Sequence, residues 1–186
     1  MGIIRGLLAV TLAAALAACA STKVPIGTAN GPQDDPRLVG TWVTVDPEHP
    51  ENRMTVYGFA GKSPGTMQAL FVIPPGQQEK PGWGTLDVVV GKIGEQRYLN
   101  VREIMENGEA SHDNDAYSPA MYRIDGDTLT VRNLDYGHIR DAIANGEIAG
   151  HDGTITAEEP ALDAYIAAHA DALFTGEPSV FHRVKP

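Results

Sequence analysis

Short segments of alternating apolar and polar residues, each closed by turn residues, are the feature that most restricts the fold of this chain. Leu99 and Val101 share one face of their segment, as Leu129 and Val131 do, and Asp125-Gly126-Asp127 separates two segments. Such segments with tight connections indicate an antiparallel sheet around a core. The predicted strands are residues 38–45, 53–60, 66–73, 86–93, 97–103, 120–124, 128–134 and 179–184.

The periodicity changes before the last of these segments. Asp135 is a residue type that caps helices, and the apolar positions after it have helical spacing up to Gly146. A second helical pattern runs from Glu159 to Phe174, with Pro160 in the first turn, where its missing N–H costs little. The sequence therefore predicts a mainly β fold, an antiparallel up-and-down barrel of about eight strands with two helices before the last strand.

The first residues have the pattern of an export signal. Arg5 gives a positive start, and the uncharged run from Gly6 to Ala18 is rich in Leu and Ala. This run is shorter than the roughly 17–25 apolar residues of a transmembrane helix. Leu16-Ala17-Ala18-Cys19 resembles the lipobox of bacterial lipoproteins, and Cys19 is the single cysteine of the chain. The resemblance implies a diacylglycerol on the Cys19 sulfur, cleavage before Cys19 and acylation of the new amino group.

The lipobox divides the chain into three predicted parts. Residues 1–18 are a signal peptide, residues 19–37 are the lipidated cysteine and a flexible tether, and residues 38–186 are the barrel domain. The tether is predicted because its residues are small, polar and rich in Gly and Pro, without apolar periodicity. No Asp follows Cys19, so the resemblance to sorted lipoproteins favours the outer membrane of a cell with two membranes, with the domain facing the periplasm.

The charge of the chain restricts its partners. Lys and Arg number 14 against 24 Asp and Glu, which gives a formal net charge of −10. Nucleic acids and anionic lipid headgroups select basic surfaces, so the composition argues against both as partners of the protein surface. We therefore expect the membrane to be reached through the lipid on Cys19.

Gly40-Thr41-Trp42 on the first predicted strand and Arg183 on the last resemble the calycin superfamily, which includes the lipocalins. There a Gly-x-Trp opens the first strand and a late Arg packs across the indole, with cation–π attraction. The resemblance implies that Gly40, Trp42 and Arg183 close the barrel. The alternative is a core Trp beside an unrelated Arg. Two features depart from typical lipocalins: the two helices before the last strand, and the missing mid-chain Thr-Asp-Tyr-type motif.

Residues of catalytic or metal-binding type do not form a recognised pattern. His112, Asp113 and Asp115 are clustered in one predicted loop, and His151 and Asp152 in another. Imidazole and carboxylate suit zinc or manganese, but no strong spacing such as His-Glu-x-x-His is present, so solvated acidic loops are the simpler interpretation. We therefore predict no metal, no cofactor and no enzymatic activity.

The aromatic residues of the strands lead to the functional hypotheses. Tyr57, Phe59, Phe71 and Tyr98 are the predicted lining of a ligand site at the barrel mouth, because binding pockets are mostly apolar. The alternative is that they belong to an ordinary core. The leading hypothesis is a lipid-anchored, non-enzymatic barrel that binds a small apolar or amphipathic ligand. The alternatives are a protein-interaction module of the envelope, similar to protease-inhibitor barrels, and a hydrolase using His and Asp. A hollow interior favours the first hypothesis and a filled one favours the interaction module.

Overall fold

Eight strands form a closed antiparallel barrel in the computed structural model, which describes residues 20–45, 53–61, 63–75, 81–111 and 115–185. Consecutive barrel strands are neighbours, and the last strand returns to pair with the first. The predicted mainly β barrel with two helices before its last strand is confirmed. The strands are β1 (Ser21–Thr22), β2 (Gly40–Val45), β3 (Arg53–Ala60), β4 (Thr66–Ile73), β5 (Gly82–Ile93), β6 (Gln96–Glu106), β7 (Glu109–Ala110), β8 (Ser118–Asp125), β9 (Thr128–Asn133), β10 (Gly150–His151), β11 (Thr154–Ile155) and β12 (Ser179–Arg183).

The barrel consists of β2, β3, β4, β5, β6, β8, β9 and β12, and its interior holds one of two hydrophobic cores. We call the end where β2 begins and β12 finishes the closed end, because a 3-10 helix (Pro36–Leu38) lies there with Leu38 buried. The opposite end, where β4 finishes and β5 begins, is called the open end. The interior core is made of Leu38, Trp42, Val90, Tyr122, Leu129 and Phe181, with partly buried Met54, Val56, Met67, Leu99, Ile124 and Val131 packed against it.

The second core lies outside the barrel wall, under two helices. Helix α1 (Tyr136–Ala144) begins after Asp135, whose carboxylate accepts a hydrogen bond from the His138 N–H, and α2 (Glu159–Leu173) has Pro160 in its first turn. Both helices follow β9 and precede β12, as the change in periodicity predicts. The short strands β1, β11 and β10 form a separate three-stranded sheet. The core between these elements and the wall includes Ile26, Tyr98, Leu134, Ile139, Ile155, Leu162, Ile166, Leu173 and Phe174.

The prediction of a flexible tether is wrong for residues 20–37, because this part of the chain is packed onto the barrel. We call residues 20–38 the strap. Ala20, Thr22 and Ile26 are fully buried. The Asn100 side chain clamps the strap, since its amide accepts from the Ile26 N–H at 2.7 Å and donates to the Ile26 carbonyl at 3.0 Å. Farther along, the Gln33 N–H donates to the Val90 carbonyl on β5 at 2.9 Å.

Strand β5 begins at Gly82, earlier than the sequence predicts, and β6 continues to Glu106. Glycines lower strand propensity, so the pattern around Trp83 gives a weak signal. Pairing with β4 extends β5 in spite of this weak propensity, because Val72 pairs with Trp83 in the ladder. The added length makes β5 and β6 the longest barrel strands, and Gly82 pairs with Ile73, the last residue of β4, at the open end.

Candidate functional site

Trp42 and Arg183 meet at the closed end of the barrel, in the geometry that the calycin resemblance implies. They are direct partners in the ladder between β2 and β12, and the guanidinium carbon lies 4.2 Å from the indole centroid. The Trp42 indole N–H donates to the Leu38 carbonyl at 3.0 Å, and Arg183 donates to the Val39 carbonyl at 2.9 Å. Gly40 has a φ of +133°, and a Cβ there would lie 2.6 Å from an Arg183 nitrogen. The pair therefore holds the 3-10 helix in place.

A charged cluster around Asp35 completes the closed end. The Asp35 carboxylate is buried and accepts from the Arg37 guanidinium at 2.7 and 2.8 Å and from the Tyr122 hydroxyl at 2.8 Å, while Arg97 lies at 3.5 Å. Burial by itself would raise the pKa of Asp35, but the hydrogen bonds and charge of Arg37 and the Tyr122 hydroxyl outweigh it and lower that pKa. Burial, together with the carboxylate, raises the pKa of Tyr122. These contacts join Asp35 of the strap to Tyr122 on β8 and Arg97 on β6, so the cluster serves as a structural latch for the strap.

The four aromatic residues predicted to line one ligand site lie in three different places. Phe71 points into the barrel, because its ladder partner Val56 packs on the interior core. Tyr98 points outward and is buried under α2, with its ring 5.6 Å from that of Phe174, and burial raises the pKa of Tyr98 to about 12. The prediction of one common lining is therefore wrong.

Tyr57 and Phe59 share a face, as the alternation of β3 predicts, but it is the outer face. Val56 packs on the interior core, and successive side chains of a strand point to opposite faces. The side chains of Tyr57 and Phe59 therefore point to solvent. Tyr57 is 37 % exposed and Phe59 is 54 % exposed. β3 carries apolar residues on both faces, so alternation alone did not decide which face is buried.

Phe59 borders a groove on the outer wall of strands β3 to β6. Its volume is about 230 Å³. Sequence reasoning missed Leu70 and Ile104, which line it. Trp83 is 40 % exposed on the same outer face. We call Tyr57, Phe59, Leu70, Trp83 and Ile104 the outer apolar face. The sequence does contain a signal for this face: β3 and β4 have apolar residues on both faces, whereas a half-buried strand needs apolar residues on one face only.

The metal and catalytic interpretations gain no support in the part of the chain that the structure describes. No group of three His, Cys, Asp or Glu side chains comes together there as a metal site. His112 and Asp113 lie outside the described residues, and Asp115 is exposed. His151 and Asp152 form an exposed pair with 2.8 Å between nitrogen and oxygen.

The lipid anchor cannot be placed, because Cys19 lies outside the described residues. None of the helices in the described ranges is long and apolar enough to span a membrane. Comparisons of the chain with protein-family models, with curated proteins and with solved structures found no match.

Proposed function

We propose that the chain is a lipid-anchored, non-enzymatic interaction module of the cell envelope, held through Cys19 and presenting its outer apolar face to a protein partner. The lipobox resemblance supports the anchor, and the absence of Asp after Cys19 supports the outer membrane, with the domain facing the periplasm. A small ligand enclosed by the four predicted aromatics receives no support, because they lie apart.

The observation that carries this proposal is the exposure of three large aromatic side chains on one side of the barrel. The exposed fractions lie between 37 % and 54 % for Tyr57, Phe59 and Trp83. The first two point outward from β3 and the third points outward from β5, and β4 lies between these strands. Tyr, Trp and Phe are enriched in protein interfaces and dominate their binding energies. The groove that Phe59 borders, at about 230 Å³, is smaller than the roughly 300–1,000 Å³ of small-molecule pockets, so it suits one inserted partner side chain.

A second candidate function, binding of a small apolar molecule, is supported by a different observation. Inward-facing Phe71, Leu86 and Val101 near the open end are partly exposed, whereas inward-facing Trp42 and Tyr122 are buried. A molecule bound at that end would be recovered by mass spectrometry of lipids extracted from natively purified protein.

The proposed function is tested by a double substitution on the outer apolar face. Phe59→Ser with Leu70→Ser removes apolar contact area from the groove but leaves the interior core intact, so the barrel still folds. Val180→Ser is the matched control, since Val180 is 38 % exposed on the outer face of β12. Wild-type protein in mild detergent extracts should elute in a larger complex, the control should do the same, and the double variant should elute alone. Identical elution of all three proteins would contradict the proposal.

A further inference from the structure

The start of the strap is fixed to the body of the domain from its first described residue. Ala20 is fully buried. The Ser21 N–H donates to the Gly153 carbonyl at 3.1 Å, and Thr22 and Tyr117 exchange two backbone hydrogen bonds of 2.9 and 2.8 Å. The Ser21 hydroxyl also lies 2.8 Å from that of Thr154. A segment held by these hydrogen bonds does not move freely relative to the barrel.

This attachment changes the reach of the lipid anchor. The lipidated residue 19 is bonded directly to Ala20, which is buried. Because consecutive Cα atoms are about 3.8 Å apart, the lipidated residue stays within that distance of a fixed position. A flexible tether of the predicted length, residues 20–36, would have a root-mean-square span of about 23 Å. With the strap packed, the acyl chains leave the protein at one defined place on its surface.

The surface at that place is formed by the turn between β10 and β11. β1 runs parallel to β11, with Ser21 opposite Thr154, so Ala20 lies level with Gly153 in that turn. The Tyr136 ring lies over Gly153 and is 39 % exposed. Tyr is a residue type that is enriched at membrane interfaces. His151 and Asp152 are paired and exposed here.

The β3 part of the outer apolar face, Tyr57 and Phe59, is on the other side of the barrel from this surface, whereas Ile104 lies on β6, next to β8. β1 packs beside β8 and bridges to Tyr117, just before β8. In the barrel order, β8 is separated from β3 by three strands on either side, so the two strands are diametrically opposed. Phe59 on β3 therefore points away from the side on which the chain enters.

We propose that the barrel lies directly against the bilayer, with Tyr136 and the turn at residues 151–153 facing the lipid and with Tyr57 and Phe59, the β3 part of the outer apolar face, directed away from it. This inference rests on the proposed lipidation of Cys19. The membrane is the occupant of the β10–β11 surface because the lipid-bearing residue is joined to the domain there. The consequence is that Tyr57 and Phe59 are presented to partners in the aqueous compartment.

The test uses the full lipidated chain in vesicles that contain nitroxide-labelled lipid. Lipid occupies the Cys19 sulfur, so an introduced cysteine is the one free thiol and can carry a fluorophore. His151→Cys places the label at the proposed membrane surface, and Gln68→Cys places it on exposed outer β4 as the matched control. We expect several-fold stronger quenching at position 151 than at position 68. Insertion of a Gly-Ser linker between Cys19 and Ala20 should reduce the quenching at position 151 to the control level.

The outcomes separate the orientation from the proposed function. Equal quenching at both positions in protein that is lipidated and vesicle-bound would overturn the orientation alone. Intact-mass measurement that shows Cys19 without lipid would overturn the anchor and the orientation together.

Discussion

Replacing Asp35 by Asn tests the physical basis of the closed end. The substitution keeps the shape of the side chain but removes the charge that Arg37, Arg97 and Tyr122 share. The Asp35 side chain is 2 % exposed and that of Arg37 is 51 % exposed, so Arg37 recovers hydration in the variant. The Arg97 Nη1 that lies 3.5 Å from Asp35 is buried and has no hydrogen-bond partner, so it keeps no compensating charge. Two losses therefore dominate: the charge assistance of the buried hydrogen bond from Tyr122, and the negative charge that compensates the buried Arg97 Nη1.

The expected cost follows from the number of buried bonds that are lost. A hydrogen bond to a charged group contributes about 1.5–3 kcal/mol, and pairing with exposed cations adds little because solvent screens it. We expect Asp35→Asn to lower the free energy of unfolding by about 3 kcal/mol at neutral pH. Tyr122→Phe should lower it by about 1.5 kcal/mol. The double variant should cost less than the sum of the two, because both single changes act on the same hydrogen bond, which Asp35→Asn weakens and Tyr122→Phe removes.

The pH dependence of this difference has a defined direction. The pKa of Asp35 is lowered in the folded protein from its usual value of 3.8, so its carboxylate stabilises the fold above that value. The difference between wild type and Asp35→Asn should be constant at neutral pH and should shrink as the pH falls below about 4. Urea unfolding followed by tryptophan fluorescence measures it, with exposed Asp171→Asn on α2 as control. A loss for Asp35→Asn no larger than for the control would refute this account of the closed end.

Three further predictions concern the barrel, the strap and the anchor. Trp42→Leu and Arg183→Met should together cost about 1 kcal/mol less than the sum of the single losses in urea unfolding; strict additivity would rule out their coupling. Gly91→Ala should cost about 3 kcal/mol and expose the strap to proteolysis, because the new methyl group meets the Ile26 carbonyl, whereas Gly176→Ala, which has open space, should be neutral. Cys19→Ser should abolish incorporation of a palmitate analogue, and undiminished label would disprove the lipobox interpretation.

The barrel could be predicted from the sequence because its strands carry the signal locally. Leu99 and Val101 alternate with polar neighbours, and this pattern is enough to define a strand with one buried face. Trp42 and Arg183 lie at opposite ends of the domain sequence, and only the resemblance to calycins joined them. The cation–π contact between them explains why an indole and a guanidinium occupy these two positions.

The strap and the outer apolar face could not be predicted because their signals are not local. The strap has few apolar residues, and its backbone is held by the Asn100 amide and the edge of β5, which no pattern within the strap reveals. On β3, Val56 and Tyr57 are both compatible with a buried face. Which of them faces the core is fixed by pairing with Trp42 across the ladder, a non-local fact.

Site-specific photo-crosslinking in intact cells tests the proposed interaction surface most directly. A photoreactive amino acid at Phe59 places the probe in the outer apolar face, and the same probe at Asp171 on α2 reports on an exposed surface away from it. The account predicts a discrete protein adduct at position 59, none at position 171, and loss of the adduct at position 59 when Leu70→Ser is added. Equal adducts at both positions, or no adduct at position 59 in lipidated protein, would contradict it.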